Sequence, residues 1–275
     1  MATDGCGAAA GTGAAPLVDG HVHLQDPYFD GRLERVVAEA RGAGVRWLVC
    51  NGSRPSDWGT VADLAARHPG VVLPSFGLHP WYAAEGGAGW EEDLAGYLDR
   101  FPSAVGEIGL DRVHGPGDRL LQEEVFRRQL RLAAARRLPA TIHCVRSFGR
   151  LREMLDEGPR PPRFLLHAYG GPLELVGPLA ERGAWFSFGG SVLLPSRERS
   201  RRALRGVPPD RLLLETDAPD PAPPGGRAGA APRHPDPADL PILCREVAAL
   251  LGQREDSFRE RLLANARTLF GGLVR

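Results

Sequence analysis

Lysine is absent from this chain of 275 residues; its 34 basic side chains are all arginines, and 34 acidic side chains balance them to a formal net charge of zero. A neutral total gives no support to strong non-specific binding of nucleic acid or an acidic membrane, while leaving room for a local basic surface. Cysteine is scarce as well. Cys6, Cys50, Cys144 and Cys244 are scattered without a CxxC pair, which argues against a disulfide framework or a zinc ribbon and fits a reducing, cytoplasmic setting. No run is long and apolar enough to span a bilayer, and the opening "MATDGCGAAAGTGAAP" lacks the basic start and apolar core of a secretory leader. Residues 1–15 read as a flexible tail and residues 16–275 as one soluble domain, with no membrane association and no obligate protein partner expected.

What the chain does contain is a rhythm. Eight short β-like runs, "PLVDGHVHL", "VRWLVCNG", "VVLPSFGLHP", "AVGEIGLD", "PATIHCV", "RFLLHAYGG", "AWFSFGG" and "RLLLETDAP", recur from Pro16 onward. Amphipathic stretches such as "GRLERVVAEARGAG" and "RLLQEEVFRRQLRLAAARR" lie between them, with apolar residues three and four apart. The alternation predicts an α/β fold and suggests a single (β/α)8 TIM-type barrel, though a doubly wound open sheet shares the pattern. The placement of polar residues favours the barrel. His21, His23, His79, Glu107, His143, His167 and Asp217 each fall at or near the end of a run, and in a barrel those ends share one face and one cavity. A Pro- and Gly-rich loop over 219–237 and two helices over about 238–251 and 256–270 are expected to complete the chain.

His21 and His23 are two apart, which on a strand puts both imidazoles on one face, suited to gripping one metal ion; an HxH also arises by chance. Glu107 lies inside an otherwise apolar run, where a lone carboxylate is costly unless neutralised. A pair of ions bridged by its two oxygens would neutralise it, and so would an arginine. His143 and His167 end apolar runs in the same manner, a position that also suits hydrogen-bonded histidines at a barrel rim. Asp217 can coordinate a metal and accept the proton of a bound water. Glu215, two residues earlier, is deeper and reads as structural support. Four imidazoles and two carboxylates make an inventory for two divalent ions, and the chemistry expected of such a site is metal-assisted hydrolysis.

In chain order, "DGHVHL", "FGLHPW", "GEIGLD", "IHC", "LLHAYGG" with "SFGG", "LLLETDAP" and "NARTLF" resemble the successive motifs of the TatD family of metal-dependent hydrolases, in the amidohydrolase superfamily. The resemblance spans about residues 17–270. It implies a TIM-like barrel, two divalent ions (Mg, Mn or Zn) and a deoxyribonuclease or phosphodiesterase activity on DNA, commonly exonucleolytic from the 3′ end. By motif, it implies His21 and His23 as the first-metal pair, Glu107 as the bridge and a catalytic group, and His143 and His167 as later ligands. Asp217 is implied as the ligand that activates water, and His79 as a substrate contact, although His79 and Pro80 also suit a simple turn. Asp111 and Arg112 are placed to buttress the site or meet substrate, and Trp81 and Tyr169 offer flat faces for a base or for packing. Some superfamily relatives bridge their metals through a carboxylated lysine, which this chain cannot supply.

Two positions depart from the family pattern. Arg146 follows His143 by three residues where many members have an arginine at two, so its assignment as a phosphate contact rests on that shift. Pro235-Asp236-Pro237 stands where Asn-Glu-Pro is usual. A phosphodiesterase acting on single-stranded DNA ends is the first reading. The second keeps the metals and cleaves an amide, ester or lactone of a small metabolite, and the third is a barrel that binds without catalysis.

Overall fold

The computed structural model describes residues 14–114, 118–220 and 234–275. Most of the expected N-terminal tail, and residues 221–233 of the expected 219–237 loop, lie outside them. Each of the eight β-like runs contains a strand: β1 Leu17–Val22, β2 Val45–Asn51, β3 Val72–Phe76, β4 Ala104–Asp111, β5 Ala140–Val145, β6 Phe164–Leu166, β7 Ala184–Phe188 and β8 Leu212–Leu214. Every strand pairs in parallel with the next in sequence order. The crossovers carry α1 Leu33–Gly42, α2 Pro55–Arg67, α3 Trp90–Arg100, α4 Arg119–Arg136, α5 Phe148–Glu157, α6 Val176–Glu181 and α7 Glu198–Gly206. After β8 come α8 Leu240–Leu250 and α9 Glu255–Phe270, within a residue or two of the helices expected there. The fold is a (β/α)8 barrel. No helix of the described residues is long and apolar enough to cross a membrane.

Local chemistry sets the elements. The helix α4 starts at Asp118, whose carboxylate accepts the Leu120 N–H at 2.8 Å, and α1 buries Val36, Val37 and Ala40 on one stripe. Strand periodicity then divides the apolar residues. Leu48 and Cys50 of β2 face the helical shell, while Trp47 and Val49 join Leu73, Leu165, Trp185 and Leu213 in a second cluster. That cluster also holds Leu263, Ala266, Leu269 and Phe270 of α9, so the C-terminal helix plugs the barrel at one end. The other end, where the strands terminate, is left to polar residues.

The barrel closes at a seam of single hydrogen bonds. Asp217 N–H donates to His21 O at 3.0 Å and His23 N–H to Ala218 O at 2.8 Å. Beneath them the buried Asp19 carboxylate accepts the Thr216 N–H at 2.9 Å and its hydroxyl at 2.5 Å. The seam brings the two histidines of β1 beside Asp217. Asp19→Ala orphans three buried donors, the Thr216 N–H and hydroxyl and the His21 N–H, at about 1–3 kcal/mol each, and is expected to lower the urea midpoint accordingly. A loss below about 0.5 kcal/mol would show that the backbone bonds alone hold the seam.

Candidate metal centre

Parallel strands deliver their C-terminal ends to one face, and six of those ends carry the residues singled out above. His21 lies within β1 and His23 just past it; Glu107 and His143 lie within β4 and β5; His167 immediately follows β6, and His79 and Asp217 lie three residues past β3 and β8 respectively. The strands are shorter than the sequence runs, yet the imidazoles of His21 and His23 still meet, with their Nε2 atoms 3.0 Å apart. Two turns in the left-handed region aim the later groups inward: Ala168 has φ 43° and Asp217 φ 56°. Such a conformation costs a non-glycine residue about 1–2 kcal/mol. At Ala168 it is held by a 2.6 Å hydrogen bond from its N–H to Glu215 Oε1.

Glu107 is the hub, buried to 3% exposure. Its Oε2 lies 3.2 Å from His21 Nε2 and 3.3 Å from His23 Nε2, with Asp217 Oδ1 3.7 and 3.9 Å from the same two nitrogens. Its Oε1 lies 2.8 Å from His167 Nε2, 3.0 Å from His143 Nδ1 and 3.3 Å from His79 Nε2. One carboxylate therefore serves two separate groups of donors, one oxygen to each.

The partner of each ring's other nitrogen decides what it presents. His23 Nδ1–H donates to Asn51 O at 2.8 Å, leaving the Nε2 lone pair facing Glu107. His143 Nε2–H donates to Asp111 Oδ2 at 3.1 Å, leaving the Nδ1 lone pair toward the same carboxylate. His79 differs. Its Nδ1 accepts the Trp81 N–H at 3.2 Å, so the neutral ring carries its hydrogen on Nε2 and offers a donor, not a lone pair. In this tautomer His79 suits a group that meets an oxygen anion, and its ring also groups with Glu107 and His143 in a cluster able to hold an ion.

Lone pairs on His23 and His143 facing carboxylate oxygens at about 3 Å are acceptors opposing acceptors. Positive charge belongs between them, whether divalent cations or protons. Burial opposes charge on His23, yet the hydrogen bond and charge of Glu107, with Asp217 and Asp220, lift it to about 9. Burial opposes charge on Glu107 too, but the surrounding histidines hold it well below the usual carboxylate range. Asp217 is pushed up to about 7, chiefly by burial, and its Oδ1 has no hydrogen-bond donor among the described residues. The spacing fits cations. Donors about 2.1 Å from one ion stand about 3.0–3.4 Å apart at octahedral or tetrahedral angles, and several contacts here are 3.0–3.3 Å. The clusters His21–His23–Asp217, His21–His167–Glu215 and His79–Glu107–His143 each bring one ligand atom per residue within 4.8 Å of one another.

The chain is matched along almost its whole length by known proteins. Residues 18–271 match the family described as TatD related DNase. The chain belongs to that family. The 3′-5′ ssDNA/RNA exonuclease TatD of Dickeya dadantii is 32% identical over 261 residues, covering 92% of this chain and 97% of the relative. The exonuclease of the same name from Pantoea ananatis is 30% identical, with 93% and 99% covered. The crystal structure of YjjV, a TatD homologue of Escherichia coli, superposes with a TM-score of 0.84 at 28% identity, covering 92% of this chain and 97% of that one.

Around the hub of this TatD-family chain the barrel mouth opens as a cavity of about 850 Å3, into which His23, His79, Glu107, His143, His167 and Asp217 project. Arg112 and Arg146 do not line it. Arg112 is exposed and 4.0 Å from Glu123, and Arg146 is exposed on a left-handed residue with φ 49°. Tyr169 is a core residue at 1% exposure, packed on Phe148 and Phe186, with its hydroxyl donating to Pro172 O. Trp81 does line the cavity, and its indole N–H donates to Asp111 Oδ2 at 2.8 Å, fixing the carboxylate that holds His143. Glu215 supports from below: Oε2 accepts the Ser187 hydroxyl at 2.5 Å, and Oε1 lies 3.6 Å from His167 Nδ1. Asp236 caps the turn at Pro237–Asp239 and is not among the residues lining the cavity.

Sequence reasoning missed Arg54 and Arg197, which line the mouth beyond β2 and β7. Arg54 is three residues past β2, within reach of the rule that found the histidines, whereas Arg197 is nine residues past β7 and outside it. It also missed the Asn51 carbonyl that fixes His23, a backbone group with no signature in sequence.

Proposed function

We propose that this chain hydrolyses phosphodiester bonds at the 3′ end of single-stranded DNA or RNA, using two divalent ions held on either side of Glu107. The observation that carries the reading is the division of Glu107 between two donor sets, His21, His23 and Asp217 on one side and His143 and His167 on the other. Mixed imidazole and carboxylate donors accept Zn, Mn or, with more water, Mg. When bound, such ions supply Lewis acidity that makes water a nucleophile near neutral pH and offsets charge on phosphoryl oxygens. Asp217 accepts the proton from the attacking water. His79 donates its Nε2–H to a phosphoryl oxygen, and Asp111 and Asn51 keep His143 and His23 oriented. The faces of Trp81 and Tyr82 at the mouth offer stacking surfaces for a base. A cavity whose barrel is plugged by α9 admits a chain end more readily than the middle of a strand, and the names of the relatives carry the same polarity. The free thiols of Cys50, Cys144 and Cys244 support a reducing, cytoplasmic setting.

Digestion of a single strand labelled at its 5′ end, with Mg, Mn or Zn supplied in turn, tests the reading. The expected result is a metal-dependent ladder shortening from the 3′ end. No cleavage by folded, metal-loaded protein would redirect the assignment to an ester or amide of a small molecule.

A further inference from the structure

Net neutrality hides one strongly uneven segment. "RERSRRALR", residues 197–205, holds five arginines against one glutamate, a local excess of four positive charges, and most of it forms α7. The single carboxylate is already engaged: Glu198 contacts Arg201 at 2.8 Å and Arg205 at 3.9 Å. Arg201 also donates to the carbonyls of Leu194 and Pro195, so it ties down the start of the helix. Arg197, Arg199 and Arg202 are exposed, with no carboxylate within ion-pair distance among the described residues.

Their placement links them to the active site. Arg197 lines the cavity mouth, and α7 begins one residue later. Arg199 and Arg202 are three apart, hence on one helix face, about 4.5 Å apart along the axis. Both arginines point away from Leu204, about 140–160° around the helix, which together with Ala203, one turn after Arg199, anchors the helix in the core. Helix stability does not explain the choice, because cations near a helix start oppose the macrodipole. Exposed guanidiniums leading away from a cavity that holds a phosphodiester end are what a polyanionic strand requires, and arginine grips phosphate bidentately.

We propose that Arg197, Arg199 and Arg202 form a phosphate track along α7 that carries the 5′ portion of a single-stranded nucleic acid as it leaves the active-site cavity. The inference rests on the phosphodiesterase reading above and adds to it the direction of exit and a preference for strands over dinucleotides. A dinucleotide fills the cavity without reaching Arg199 or Arg202; a longer strand reaches both.

The test compares the wild type with Arg199→Gln/Arg202→Gln on a 20-nucleotide oligothymidylate and on a thymidine dinucleotide, across a range of NaCl. On the long strand KM is expected to rise about tenfold with kcat retained. Loss of two phosphate contacts is also expected to flatten the salt slope of log kcat/KM by about 1.4. On the dinucleotide kcat/KM is expected to stay within twofold. Arg199→Lys/Arg202→Lys, which keeps the charges, is expected to restore most of the long-strand affinity and so to separate charge from folding. An unchanged KM and salt slope on the long strand would overturn the track, as would an equal loss on both substrates. A wild type that cuts neither substrate would overturn the phosphodiesterase reading itself, and the track with it.

Discussion

Asp217→Asn is expected to lower kcat by about 10²- to 10⁴-fold, the range a positioned proton acceptor contributes, while the protein folds and melts as before. Asparagine suits the position because Asp217 sits in the left-handed region at φ 56°, which asparagine tolerates better than most residues. It also keeps an oxygen beside His21 and His23, where Asp217 Oδ1 lies 3.7 and 3.9 Å away. What it removes is the negative charge and the capacity to take a proton from water. Single-turnover cleavage of a labelled strand, with bound metal quantified on the same sample, separates the two effects. If activity persists, another group accepts the proton. If activity returns with added metal, Asp217 contributes binding and not proton transfer.

The residues that meet at Glu107 were legible because each interrupts or ends an apolar run, and parallel strands carry all such ends to one place. Residues next to those ends were not. Arg112, Arg146 and Tyr169 follow the same strands by one to three residues, and their directions depend on backbone turns that sequence spacing does not reveal. Arg146 is itself left-handed, and the left-handed Ala168 sends Tyr169 into the core. The seam was hidden for a different reason: Asp19 and Thr216 are 197 residues apart, and only barrel closure makes them neighbours. The charge of α7 was lost in the total. A balance over the whole chain carries no information about the rim of one cavity, where the field of a few arginines acts within a Debye length of about 8 Å.

Glu107→Ala is expected to weaken both ions together, by at least about 100-fold in affinity, since even partners of metal ligands cost 10- to 100-fold when removed. The reason is the division of its carboxylate, with Oε2 against His21 and His23 and Oε1 against His143 and His167. Neither donor set retains the charge that offsets a divalent ion once both oxygens are gone. Asp217 remains for the first set, and the second keeps its imidazoles with only Glu215, 3.6 Å behind His167 Nδ1, as a carboxylate. Metal content after dialysis reads the result directly: two ions per chain in the wild type, and none in the variant at the same free concentration. Retention of one ion would show that Glu107 belongs to a single site. The imidazoles of the other set would then meet for a different purpose, with His143, held by Asp111, acting as a proton donor to the leaving oxygen.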